Sequence, residues 1–138
     1  MVDADIVRRK TSLVLHHVAR LRGRASLAPS QLRSDEDLYN NVLMDLQQAI
    51  QACIDLAVHA CVDDALGAPA GPAQAFALLA RAGRIDDALA VRLAGAAGLR
   101  NLIVHRYGEL DAATIVQVIK RDLDDLVTFI RAFAGGDA

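Results

Sequence analysis

Arg100, His105 and Tyr107 stand close together in the stretch Arg100-Asn-Leu-Ile-Val-His105-Arg-Tyr107. The residues from Ile85 to Tyr107 read as one helix, with Gly108 as its natural stop. Projected on a helical wheel, Leu89, Leu93, Ala96, Ile103 and Val104 fall within about 60° of Arg100, and Tyr107 within about 20°. The guanidinium therefore occupies the middle of an apolar stripe, where a charge is costly unless something pairs with it. Two arrangements satisfy it: an acid from another helix, or a cleft in which the arginine awaits an anion. His105 points about 140° away from Arg100, so the two side chains do not share a face. They meet only if the long arginine reaches round the last turn, or if each faces a second copy of the chain. Leu99 and Leu102 lie off the main stripe, which leaves this helix end apolar nearly all round. Such an end predicts burial against more than its own bundle, and so a dimer.

The rest of the chain reads as a scaffold for that helix. It has 138 residues, 54% of them apolar and 4% aromatic, with no Trp. That length fits one domain, residues 1–138, and the apolar content excludes disorder. Abundant Ala and Leu favour helix. A first helix spans roughly Asp3 to Ala25, with Ile6, Leu13, Val14, His17, Val18 and Leu21 on its apolar stripe. Leu27 to Ser34 reads as a connector punctuated by Pro29 and two serines. Ser34 is the candidate cap of a long second helix that runs to about Leu66. Tyr39, Leu43, Leu46, Ile50, Cys53, Ala57 and Ala60 line one side of it, and Asn41, Asp45, Gln48, Asp55, His59 and Asp63 the other. Residues 73–82 form a short helix before Gly83. Asp111 caps a last helix whose buried stripe runs from Ile115 to Phe133, and Gly135 to Ala138 should fray. The expected architecture is all-α, an up-down bundle of four long helices and one short one.

Charge is unevenly distributed. Residues 1–33 hold seven Lys and Arg against Asp3 and Asp5, whereas residues 34–80 hold seven acids and no Lys or Arg. A formal net charge of −2 excludes a sequence-blind nucleic-acid coat. Most of the charges are assigned to solvated helix faces. The longest uncharged run, Ala65 to Ala80, contains prolines and glycines and is too short to span a bilayer. The acidic start lacks the pattern of a signal peptide, which predicts a cytoplasmic protein away from membranes. Cys53 and Cys61 are about 12 Å apart on one helix, too far for a disulfide. His17 reads as a satisfied core or interface histidine, and His59 as a surface partner of Asp55. No cluster has metal-ligand spacing.

The motif Arg100-x4-His105-x-Tyr107 resembles the Arg-x4-His-x-Tyr signature of HepT-like toxins, within the larger HEPN group of small helical ribonucleases. By chance the full motif would arise roughly once in two hundred chains of this composition. The resemblance covers most of the chain. The long helix with Leu46-Gln-Gln-Ala-Ile-Gln-Ala-Cys-Ile-Asp, the Gly/Pro loop, the short helix and the motif helix follow in the family's order.

The resemblance implies a metal-independent RNA endonuclease that needs no cofactor and works as a homodimer with the motifs facing each other. His105 would move protons and Arg100 would hold the charge that builds on phosphorus, while Asn101 would orient His105 or the phosphate. It also implies a toxin–antitoxin pair. An MNT-type nucleotidyltransferase antitoxin would attach AMP to Tyr107, adding negative charge and bulk where RNA phosphate should bind. The alternative is a catalytically inactive HEPN-type binding module that partners a nucleotidyltransferase, with Arg100 and His105 holding a nucleotide or a structural acid.

Overall fold

A computed structural model describes residues 2–134; the expected fraying of Gly135 to Ala138 lies outside the described residues. The elements are α1 (Ala4–Arg22), α2 (Pro29–Ser34), α3 (Glu36–Asp63), α4 (Pro72–Arg81) and α5 (Asp87–His105). A 3-10 turn (Tyr107–Glu109), α6 (Ala112–Arg121) and α7 (Leu123–Ala134) complete them. The described residues contain no strand, so the all-α bundle expected from the periodicity is what forms.

Aspartates start four of these helices. Asp3, Asp35, Asp86 and Asp111 each accept a backbone N–H from the first turn that follows, at 2.8, 3.1, 2.7 and 3.1 Å. A carboxylate there satisfies an orphan donor and complements the helix dipole. The long helix is thus capped by Asp35 and not by Ser34, which ends α2.

Three boundaries differ from the sequence expectation. The segment read as a connector contains α2, because Pro29 occupies its first turn, where a missing N–H costs nothing. Leu32 then packs fully buried beneath it. The last helix is two helices. Asp122 bonds back to the Val118 carbonyl at 2.9 Å, while its own carbonyl is taken three residues on by Asp125 N–H at 3.2 Å. That tighter turn redirects the chain, so that α6 packs on α2 and α7 packs on α1, α3 and α5. The motif helix stops at His105, two residues short of Tyr107, as Arg106 leaves the helical region at φ −134° and ψ 38°.

The core centres on α3, which is surrounded by α1, α4, α5 and α7. Val42, Leu43, Leu46, Ala49, Ile50, Cys53, Leu56, Ala57 and Ala60 are all buried, and Phe76, Phe129 and Ile115 fill in from other helices. A helix enclosed on so many sides has a narrow polar face. Asp45, expected on that face, is only 2% exposed. Its Oδ1 accepts from Arg20 Nε at 2.9 Å and lies 2.8 Å from His17 Nδ1. Asp55 pairs with Lys10 at 2.9 Å and Gln51 at 2.8 Å, not with His59. Part of the charge asymmetry between the first and second helices is therefore contact between α1 and α3, where Lys10 meets Asp55 and His17 and Arg20 meet Asp45. His17 is the satisfied histidine that its stripe position predicts.

Candidate active site

The three motif residues occupy one end of the bundle, but in different surroundings. Leu89, Leu93, Ala97 and Ile103 anchor α5 in the core. Arg100 lies between these last two and is half-buried. Its Nε is buried and has no hydrogen-bond partner. Its Nη1 donates to Asn101 Oδ1 at 3.1 Å. Among the described residues no carboxylate forms an ion pair with it, whereas Arg20, Arg22, Arg84 and Arg92 each hold one. Of the two arrangements open to Arg100, the intramolecular acid is absent. A guanidinium held this way is a fixed fork with anion-binding capacity unspent.

His105 is the last residue of α5 and is exposed. Because α5 is continuous over both residues, the expected separation of about 140° between His105 and Arg100 stands. Asn101, assigned to orient His105 or a phosphate, is instead engaged with Arg100. Beyond the helix, Arg106 pairs with Glu109 at 3.2 Å, closing the 3-10 turn on its outer side.

Tyr107 does not extend the apolar stripe of α5. It begins the 3-10 turn and is 43% exposed. Its backbone carbonyl accepts from the hydroxyl of Tyr39, in the first turns of α3, at 3.0 Å. The two rings meet edge to face, with centroids 5.5 Å apart and planes at 83°. Burial, then the proximity of Tyr107, pushes the Tyr39 hydroxyl above the usual phenol range, so it remains a donor. Sequence spacing gave no sign of this contact, since the two tyrosines are 68 positions apart.

A second feature runs along another face of α5. Val91, Gly95, Gly98, Leu102 and His105 recur at helical spacing, and Val91 and Leu102 are 72% and 45% exposed. Gly95, Gly98 and Leu102 edge a groove of about 530 Å³ whose floor includes Leu46 and Ile50 of α3. A Cβ added at Gly95 or Gly98 would meet nothing within 4 Å. Mid-helix glycine costs roughly 0.5–1 kcal/mol relative to alanine. Nothing among the described residues requires it at either position. Val104, 41% exposed, adds a further apolar side chain to the surface of this helix end, beside the polar Asn101 and His105.

Residues 14–133 match the model of the HepT-like ribonuclease family. The chain belongs to that family. An mRNA nuclease HepT from Shewanella oneidensis is 33% identical over 126 residues, covering 91% of this chain and 94% of the relative. Solved structures of the family superpose closely. A tri-AMPylated Shewanella oneidensis HEPN toxin in complex with its MNT antitoxin matches with a TM-score of 0.87 and 32% identity, covering 96% of this chain and 99% of that one. A toxin–antitoxin complex with AMP-PNP matches with a TM-score of 0.85 and 32% identity, over 94% and 98% of the two chains. Arg100, His105 and Tyr107 all lie within the residues that match the family model. No helix among the described residues is long and apolar enough to cross a membrane.

Proposed function

We propose that the chain is a metal-independent RNA endonuclease, the toxin of a HepT/MNT-type toxin–antitoxin pair. Its activity is silenced when a nucleotidyltransferase antitoxin AMPylates Tyr107. The observation that carries the catalytic part is Arg100, half-buried, whose guanidinium among the described residues leaves Nε without a partner and makes one hydrogen bond, to the neighbouring Asn101. A charge kept in this state costs stability, and binding an anion is the use that offsets the cost.

In the reaction, a ribose 2′-oxygen attacks the adjacent phosphorus. The O2′–P bond forms and the P–O5′ bond breaks, leaving a 2′,3′-cyclic phosphate and a 5′-hydroxyl. Arg100 holds the non-bridging oxygens as charge accumulates on them. An imidazole has one nitrogen that can accept a proton and one that can donate it, which suits His105 to take the 2′-hydroxyl proton or return one to O5′. DNA lacks the attacking hydroxyl and would be spared. Asn101 supports the site by steadying the Arg100 fork.

A homodimer completes it. Arg100 and His105 diverge on their own helix, and the Val91–Gly95–Gly98–Leu102 face leads directly to His105. A second copy laid against this face would bring one chain's histidine near the other's arginine. The open space over Gly95 and Gly98 supports close helix approach there.

The exposure of Tyr107 supports its role as the AMP acceptor, and an adenylate there would crowd and repel incoming RNA phosphate. The Shewanella oneidensis toxin that superposes on this chain is itself tri-AMPylated and bound to an MNT antitoxin. An RNA substrate and a partner that draws on ATP both fit the cytoplasm.

Purified chain should cut RNA in the presence of a metal chelator, and His105→Ala and Arg100→Ala should each abolish cutting. Cutting that survives both substitutions, or that requires a divalent ion, refutes the assignment. Harmless expression of the chain alone, with no cleavage detected, would favour the binding-module alternative.

A further inference from the structure

Tyr39 and Tyr107 are the chain's two tyrosines, and they touch. Folding brings the start of α3 to the turn after α5, and the contact has two parts. The Tyr39 hydroxyl donates to the Tyr107 carbonyl at 3.0 Å, fixing the backbone of the 3-10 turn. The edge-to-face rings, 5.5 Å apart, restrict the rotation of the Tyr107 side chain. The outer turn is closed separately by Arg106 and Glu109.

We infer that Tyr39 is a positioning residue for the AMPylation of Tyr107: its hydroxyl and ring hold the acceptor phenol in one orientation toward the antitoxin. The inference rests on the proposed modification of Tyr107. In that step the Tyr107 Oη attacks the α-phosphorus of ATP carried by the nucleotidyltransferase. The Oη–P bond forms, the bond to the β-phosphate breaks, pyrophosphate departs and the phenolic proton passes to the antitoxin or to solvent.

An unrestrained tyrosine at the end of a helix samples several rotamers, and only some aim its oxygen in line with that phosphorus. Holding it in a near-attack orientation raises the fraction of productive encounters. Tyr39 itself is a poor acceptor. It is less exposed than Tyr107, and its hydroxyl is committed to a backbone carbonyl. The burial that raises its pKa further reduces its nucleophilicity.

The test uses the full chain, its cognate nucleotidyltransferase and ATP, with AMP incorporation followed by intact mass and located by peptide mass spectrometry. Tyr39→Phe keeps the ring and removes one hydrogen bond. Its AMPylation kcat should fall about five-fold, the effect of one ordinary hydrogen bond. Tyr39→Leu removes the ring edge as well and should lower kcat by at least ten-fold more. KM for ATP should not change in either variant, and RNA cleavage by unmodified Tyr39→Phe should match the parent. A merely structural role would instead depress the melting temperature and cleavage of both variants together with AMPylation, which would overturn the inference. Equal AMPylation rates in parent and variants, or AMP found on Tyr39, would also overturn it. If the parent acquires no AMP at Tyr107, the proposed modification fails and this inference fails with it. If the parent is modified and the variants keep pace, only this inference fails.

Discussion

Replacing Arg100 by methionine should make the protein more stable and catalytically dead. The unbranched methionine retains most of the buried stem while removing the guanidinium. Arg100 Nε is buried without a partner, and such a group costs about 1–3 kcal/mol. Against this, the variant loses one hydrogen bond to an exposed Asn101, for which water competes, so that its net stabilisation is about 1 kcal/mol. The balance is a gain of about 1 kcal/mol, or roughly 4 °C in Tm for a domain of this size. If a carboxylate of the same fold secured the guanidinium, removing it would strand a buried acid and cost about 3–5 kcal/mol. The two accounts thus predict opposite signs. Urea unfolding measures the stability, and cleavage of a labelled RNA measures the activity, which should fall by about 10²–10³-fold or more. A destabilised Arg100→Met variant would show that the arginine is structural. A stable variant that still cuts at the parental rate would show that it does not hold the reacting phosphate.

Three further outcomes follow from named contacts. Asp45→Ala should cost about 2–3 kcal/mol, because His17 is stranded near the interior whereas the half-exposed Arg20 can regain water; a loss below about 0.5 kcal/mol in urea unfolding would show that the cluster does not pin α1 to α3. Gly98→Leu fits the isolated fold, where nothing lies within 4 Å of its Cβ, but should block a second copy; sedimentation should report a monomer and cleavage should vanish, and an intact, active dimer would refute the proposed seam. Burial pushes the Cys53 and Cys61 thiols upward, so both should resist a thiol reagent at pH 8 until the protein unfolds. The same shifts mean that the unfolded thiols ionise first as pH rises, so stability should decline above the ordinary thiol pKa and be unaffected by these groups below it. Rapid labelling of the native protein would contradict the burial.

The candidate chemistry was legible because it is local. Arg100, His105 and Tyr107 form a short motif, and its apolar setting follows from helical periodicity within one segment. The same periodicity marks the major helices and most of the core. Capping was half legible: the acids at the start of the long helix were evident, but choosing Asp35 over Ser34 depended on how α2 ended. The break at Asp122 was hidden because the apolar stripes of α6 and α7 join in phase along the sequence, and only packing on α2 and α1 separates them.

Sequence alone determined that this chain is helical, which of its residues could face an interior, and which motif is the candidate for its chemistry, since these depend on contacts a few positions apart. Tertiary structure alone decided that Arg100 has no ion pair among the described residues, that Asp45 is buried in an ionic cluster, and that Tyr39 clasps Tyr107. Each of those depends on which distant segments meet, and periodicity within one helix specifies a face to be covered without specifying what covers it.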